Sequence, residues 1–313
     1  MRELGLVSVV VPLLDEVDGV KELYRRTAAA LDGLAFELVT VDDGSTDGTS
    51  EQLQELAALD ARVKVVTLSR NFGHQAALTA GLDAASGDAV VMMDGDLQDP
   101  PELIPTMLQA WSAGSDVVYG VRLQRDGETR FKLATARRFY QLMSRLSSVP
   151  LAQNAGDFRL LDRRALDALL ELRESSRYLR GMTSWVGFTQ TAVPYVRESR
   201  QSGQTKYPLN KMIRFALDAI VSFSHAPLKA ASVIGFWCAA LAFASVPVAI
   251  GMRIAGQFVP GITTVVIAVL LLGGLQLMAL GMIGEYVGRI YDEVKRRPLY
   301  VVREKLNLDE HAG

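Results

Sequence analysis

The chain is poor in cysteine and histidine and has no strong excess of charge of either sign. Its 313 residues include 1 cysteine and 3 histidines. The single cysteine, Cys238, excludes an internal disulfide, and its apolar neighbours indicate a small hydrophobic side chain. His74 has no other histidine near it in sequence, which argues against a zinc site. The net charge of −2 excludes a strongly basic nucleic-acid-binding protein.

The first part of the chain, residues 1–205, alternates short apolar runs with segments of helical periodicity. The apolar runs are 6–13, 36–41, 63–68 and 89–93, and the helical patterns lie in 17–31, 49–59 and 75–86. Alternating strands and helices predict a mostly parallel α/β sheet. In such sheets ligands bind at the carboxyl ends of the strands.

Acidic residues follow these predicted strands. Asp15-Glu16, Asp42-Asp43 and Asp94-Gly-Asp96 each come directly after an apolar run. Three acidic clusters at one edge would repel one another unless a cation or ligand donors were present. Asp94 and Asp96, with Gln98 nearby, are oxygen ligands of the kind that hold Mg²⁺ or Mn²⁺ against phosphates. For Asp42 and Asp43 the alternative is a capped Asp-Asp-Gly-Ser turn, which hardly explains both carboxylates.

The character of the chain changes after residue 205. Residues 207–224 have one apolar and one polar helical face, which suits either a helix in a membrane interface or an ordinary helix packed on the domain. Residues 230–250 and 262–283 are free of charge, and each is long enough to cross a bilayer. We expect a catalytic domain (1–205), an interfacial helix (206–228), two transmembrane helices (229–285) and a cytosolic helix and tail (286–313).

Flanking charge predicts the orientation of this pair. Basic residues lie on both sides, and the loop 251–261 carries one, Arg253. The positive-inside rule therefore predicts that both flanks lie in the cytosol. We also expect no cleaved signal peptide, because the first residues lack an apolar core followed by a small-residue cleavage site. Glycines at 273, 274, 281 and 284 give the second span a small-residue face that suits oligomer contacts.

Taken together, the motifs resemble the polyprenyl-phosphate glycosyltransferases of glycosyltransferase family 2, which include dolichyl-phosphate-mannose synthases and bactoprenol glucosyltransferases. The resemblance covers nearly the whole chain. It rests on residues 10–16 (VVPLLDE), 41–49 (VDDGSTDGT), 69–75 (SRNFGHQ), 93–102 (MDGDLQDPPE), 156–160 (GDFRL) and 200–207 (RQSGQTKY). It implies a GT-A domain, a Rossmann-like nucleotide-diphospho-sugar fold.

The resemblance also implies roles for individual residues. Those expected at the nucleotide base are Pro12, Leu14, Glu16 and Asp43. Asp94, Asp96 and Gln98 would hold the metal, with Asp96 also taking part in catalysis. Asp157 would be the catalytic base or, since a phosphate acceptor is already an oxyanion with a second pKa of about 6, a residue that orients a sugar hydroxyl or an arginine. The expected phosphate-binding residues are Arg122, Arg125, Arg200 and Lys206.

The expected reaction is transfer of a hexose with inversion from a nucleotide sugar to polyprenyl phosphate at the cytosolic face of a bacterial inner membrane. We expect first that glucose is transferred from UDP-glucose to undecaprenyl phosphate. GDP-mannose and 4-amino-arabinose derivatives are the alternative donors. One alternative is a processive polysaccharide synthase, although its Gln-x-x-Arg-Trp motif is missing from the sequence. Another is a non-catalytic membrane protein that retains the domain, although the metal carboxylates are all present.

Overall fold

A computed structural model of the chain describes residues 2–123, 155–175, 177–196 and 261–308, together with part of 233–255. These residues form two compact units. The first contains the β-sheet, the helices around it and the residues from Pro298 onward. The second contains a long C-terminal helix.

The first unit is an α/β domain built on one mixed sheet. In the described residues, eight strands lie in the order β7-β5-β6-β4-β1-β2-β3-β8. The strands are β1 (Val7–Leu13), β2 (Phe36–Asp42), β3 (Val63–Leu68), β4 (Ala89–Met92), β5 (Val117–Arg122), β6 (Ala155–Asp162), β7 (Gln190–Tyr195) and β8 (Val302–Leu306). The helices are α1 (Val20–Ala30), α2 (Thr49–Leu59), α3 (His74–Ala84), α4 (Ile104–Ser112), α5 (Arg163–Glu171), α6 (Leu179–Trp185) and α7 (Ile262–Val294).

The central strands explain why the sequence alternates as it does. β1 to β4 run parallel to one another, and every residue of β1, β2 and β4 is buried. Strands that are covered on both faces have continuous apolar sequences. The predicted, mostly parallel α/β sheet is confirmed, and its first four strands begin and end within one residue of the predicted runs.

Two antiparallel strands complete the sheet, and one of them sets the position of the site. β6 runs antiparallel to β4, with Met92 opposite Arg159. It therefore starts at the edge where β4 ends. Continuing the register by two residues brings Asp157 level with Asp94, although the two are far apart in sequence.

β8 was not predicted from the sequence. It pairs antiparallel with β3 from Val65–Leu306 to Leu68–Val302, and Asn307 Nδ2 donates to Ala57 O and Val63 O at 2.7 and 2.9 Å. The C-terminal residues, expected to follow a helix as a tail, thus contribute an edge strand to this sheet.

The second unit contains α7, which is continuous across the predicted boundary at residue 285. Within the described residues, one helical segment, Leu271–Val294, is long and apolar enough to cross a membrane, judged by length and composition only. The predicted first span, 230–250, is described only at scattered positions, and the predicted interfacial helix lies outside the described residues. The two-helix hairpin therefore stays a prediction.

Candidate active site at the carboxyl edge of the sheet

The loops after β1 and β2 are hydrogen-bonded to each other. Asp15 N donates to Ser45 Oγ at 3.0 Å, and Thr46 N donates to Asp15 Oδ1 at 2.8 Å. Glu16 N donates to Thr49 Oγ1 at 3.0 Å. Asp15 has a φ of 53°, a left-handed conformation that is uncommon for a residue with a side chain. These contacts fix the segment where three of the predicted nucleotide-binding residues lie.

Those three residues differ in exposure. Pro12 is buried in β1, Leu14 is 41% exposed and Glu16 is partly exposed. A Cβ at Gly95 would lie 2.4 Å from Leu13 Cδ2 and 3.1 Å from Pro12 O, so the loop after β4 packs closely on the end of β1. The predicted nucleotide segment and the predicted metal motif are therefore neighbours. Contact of Pro12, Leu14 and Glu16 with a base stays a prediction.

Asp42 and Asp43 each have a structural partner. Asp42 Oδ1 accepts from Ser45 N at 2.9 Å, which closes the turn. Asp43 is buried, and its two oxygens accept from Phe72 N at 2.7 Å and Gly73 N at 2.9 Å. Burial raises the pKa of Asp43, against the effect of these two N–H groups. The side chain predicted to contact the base thus holds the loop that leads into α3.

Four ionisable side chains from different elements meet at the carboxyl edge. His74, the first residue of α3, places Nε2 3.4 Å from Asp94 Oδ1 and 3.5 Å from Asp157 Oδ2. Arg180 of α6 donates to both oxygens of Asp157, from Nε at 2.7 Å and from Nη2 at 2.9 Å. We call His74, Asp94, Asp157 and Arg180 the edge cluster.

The charge state of Asp157 follows from these contacts. Burial alone would raise its pKa, but hydrogen bonds from His74 and Arg180 outweigh burial and hold the pKa well below its usual range. Asp157 in turn outweighs the effect of burial on Arg180 and raises the pKa of that guanidinium. A carboxylate with so low a pKa is a weak proton acceptor. These contacts favour the orienting role for Asp157 over the role of base.

Asp94 is in the opposite situation. Burial and the nearby carboxylates of Asp157, Asp99 and Asp96 raise its pKa to about 6, although His74 opposes the shift. Its Oδ1 is buried and accepts no hydrogen bond among the described residues. A buried carboxylate oxygen of this kind fits a divalent cation, which would replace the missing donors and offset the local negative charge.

The rest of the predicted metal motif forms a tight turn after Asp94. Gln98 N donates to Asp96 Oδ1 at 3.1 Å, and Leu97 between them has a φ of 58° while being buried. A strained buried residue of this kind is held by its surroundings and is common at ligand sites. The side chains of Asp96 and Gln98 are partly exposed on this turn.

Of the predicted phosphate-binding residues, Arg122 is the one the structure describes. It ends β5, its Nε donates to Tyr195 Oη at 3.1 Å, and its Nη2 lies 3.8 Å from Asp99 Oδ1. Tyr195 Oη donates to the same Asp99 oxygen at 2.5 Å. Arg122 is thus already paired at this edge. Arg125, Arg200 and Lys206 lie outside the described residues.

Two members of the edge cluster were missed in the sequence. His74 belongs to the motif 69–75 and follows β3 closely, but no second histidine lies near it in sequence to indicate a site. Arg180 follows no strand, and its position depends on how α6 packs beneath β6. Strand-end reasoning could have found His74 but not Arg180.

Replacement of Asp43 by alanine should loosen the loop that carries His74, because two backbone N–H groups would lose their acceptors. We expect hydrogen exchange at the amides of Phe72 and Gly73 to become on the order of 10- to 100-fold faster, measured by mass spectrometry. The exposed Asp32→Ala variant is the control. Unchanged exchange in Asp43→Ala would mean that the loop is held by something else.

The sequence matches the family described as glycosyl transferase family 2 over residues 8–170. An uncharacterized glycosyltransferase of Bacillus subtilis (strain 168), YkcC, is 45% identical over 305 residues, which are 96% of this chain and 94% of that protein. The SfII prophage-derived bactoprenol glucosyl transferase of Shigella flexneri is 39% identical over 301 residues, which are 95% of this chain and 97% of that protein.

Among solved structures, glucosyl-3-phosphoglycerate synthase from Mycobacterium tuberculosis, in complex with Mn²⁺, UDP and phosphoglyceric acid, aligns with a TM-score of 0.48. The alignment has 23% sequence identity and covers 69% of this chain and 76% of that one. The family match and the relatives that are similar over nearly their whole length lead to one conclusion: the chain belongs to glycosyltransferase family 2, and its sheet is the α/β domain of the GT-A fold.

Proposed function

We propose that the protein transfers a hexose from a nucleotide sugar to the phosphate of a polyprenyl phosphate, with inversion at the anomeric carbon. Glucose from UDP-glucose and undecaprenyl phosphate are the proposed substrates. The identity with the bactoprenol glucosyl transferase of Shigella flexneri, 39% over 95% of this chain, supports the glucose donor and the lipid acceptor. GDP-mannose and 4-amino-arabinose donors are the alternatives.

The observation that carries the proposal is the edge cluster beside the turn at Asp96. Asp94, Asp96 and Gln98 are the proposed ligands of Mg²⁺ or Mn²⁺. A divalent cation bound there would supply positive charge to the diphosphate leaving group. The buried Asp94 Oδ1 supports this role, because it accepts no hydrogen bond from the described residues, although His74 Nε2 lies 3.4 Å away.

The proposed acceptor explains why the site needs no strong base. A phosphate monoester has a second pKa of about 6, so at neutral pH it is already an oxyanion nucleophile. Asp157, paired with Arg180 and ionised, would then orient its partners and take up no proton from the acceptor. Direct displacement by the phosphate oxygen gives inversion.

The proposal also places the protein in a membrane, with the catalytic domain in the cytosol. The apolar segment Leu271–Val294 supports one crossing, and the uncharged stretch 230–250 suggests a second. Arg122, Arg125, Arg200 and Lys206 are the proposed contacts of the phosphate groups, and a homo-oligomer is proposed from the small-residue face of the second span.

Transfer should require both the metal and its carboxylates. Purified protein in detergent, incubated with undecaprenyl phosphate and a panel of radiolabelled nucleotide sugars, should label the lipid with glucose from UDP-glucose. Because the cation contributes several kcal/mol, EDTA or the variants Asp94→Ala and Asp96→Ala should reduce the rate by more than about 100-fold. The control Asp32→Ala should not change it. Full transfer in excess chelator would refute the metal role, and no transfer from any donor would refute the proposed function.

Topology gives a separate test of the membrane proposal. In a Cys238→Ala background, Gln257→Cys should react with an impermeant maleimide added to intact cells, because the loop 251–261 is proposed to lie outside. A cysteine at Ser50, on α2 of the catalytic domain, is the matched control and should react only after lysis. Reaction of Gln257→Cys only after lysis would contradict the hairpin.

A further inference from the structure

We propose that Arg180 is a phosphate-binding residue of this site and that Asp157 holds it in place. The inference rests on the proposed function for the presence of phosphate groups at the carboxyl edge. Arg180 follows no strand, so the acidic and basic residues at strand ends in the sequence did not point to it.

The bidentate pair leaves part of the guanidinium available. Arg180 uses Nε and Nη2 to bind the two oxygens of Asp157. An arginine has five N–H donors in a planar fork, and Nη1 of Arg180 has no hydrogen bond among the described residues. Donors of this geometry match the oxygens of a phosphate.

Exposure shows which member of the pair a ligand would meet. The side chain of Asp157 is 6% exposed, whereas that of Arg180 is 35% exposed. Of the two side chains, Arg180 is therefore the more accessible to solvent. An approaching anion would find positive charge on this side chain, and the pair with Arg180 compensates the negative charge of Asp157.

The backbone that carries Arg180 is anchored from two sides. Gln75 Oε1 accepts from Leu179 N at 3.0 Å, which ties the start of α6 to α3. Arg159 of β6 is 2% exposed and donates to Arg180 O at 3.3 Å and to Thr183 Oγ1. With backbone and side chain both held, Arg180 is pre-organised, which lowers the entropic cost of binding a ligand.

The negative charge at the carboxyl edge of the sheet explains why a phosphate would need an arginine there. Asp94, Asp96 and Asp157 lie close together, and a phosphate that approaches them is repelled unless cations are in place. Arg180 supplies a fixed positive charge in the same cluster as Asp94. A phosphate could then be held between the metal motif and this guanidinium.

The phosphate could belong to the donor's diphosphate or to the acceptor's monoester, and calorimetry can distinguish the two. One titration uses UDP with Mn²⁺, and the other uses a short-chain prenyl phosphate. Arg180→Ala should raise the Kd for at least one of them by about 10- to 150-fold. Arg180→Lys, which keeps the charge but loses the fork, should give a smaller increase and also guards against misfolding.

Arg173→Ala is the matched control, because Arg173 also makes a bidentate contact with a carboxylate, from Nη1 and Nη2 to Asp83 at 2.8 and 2.8 Å, outside the edge cluster. It should leave both Kd values unchanged. The double variant Arg180→Ala/Asp157→Ala tests whether the arginine merely neutralises Asp157. Unchanged Kd values in Arg180→Ala, or wild-type values restored in the double variant, would overturn the inference. If the wild type binds UDP but transfers no sugar, the proposed function fails while this inference can still be decided by the binding.

Discussion

The antiparallel pairing of β6 with β4 is the constraint on which the site depends. β4 ends at the carboxyl edge, where Asp94 follows it, and β6 begins at the same edge. Asp157 therefore lies opposite Asp94 when the β4–β6 register is extended by two residues. Parallel strands alone would bring the ends of β1 to β4 together but would leave Asp157 at the other edge. The pairing also places Arg159 beneath α6, where it supports the backbone of Arg180. One strand direction therefore determines where a carboxylate, a guanidinium and the proposed metal motif meet.

The electrostatic environments of Asp157 and Asp94 indicate different roles for the two carboxylates. Asp157 is paired with Arg180 and His74 and stays ionised, whereas Asp94 lies near other acids and has a buried oxygen that accepts no hydrogen bond in the described part of the chain. Groups whose environments push their pKa values apart have different roles. Here the difference suits one carboxylate that organises arginine and histidine and another that takes a cation. For an acceptor that is already an oxyanion, positioning and charge compensation matter more than proton transfer.

The sequence was informative where a local pattern decides the structure. The apolar runs predicted the central strands, and the acids after the strands do lie at one edge. Two kinds of feature could not be read in this way. The edge strand β8 depends on pairing with a distant strand, and Arg180 depends on the packing of a short helix. Asp43 shows a third difficulty, because a carboxylate at a strand end can hold a neighbouring loop as well as contact a ligand.

Anomalous diffraction from crystals grown with UDP and Mn²⁺ would test the division of roles most directly, since it locates the metal independently of any rate. The expected result is a Mn²⁺ peak bound by Asp94 and the turn at Asp96, with Asp157 still paired to Arg180 and a UDP phosphate within hydrogen-bonding distance of that guanidinium. A peak bound by His74 and Asp157, with Arg180 displaced from the carboxylate, would contradict the assignment of Asp157 as the residue that holds Arg180.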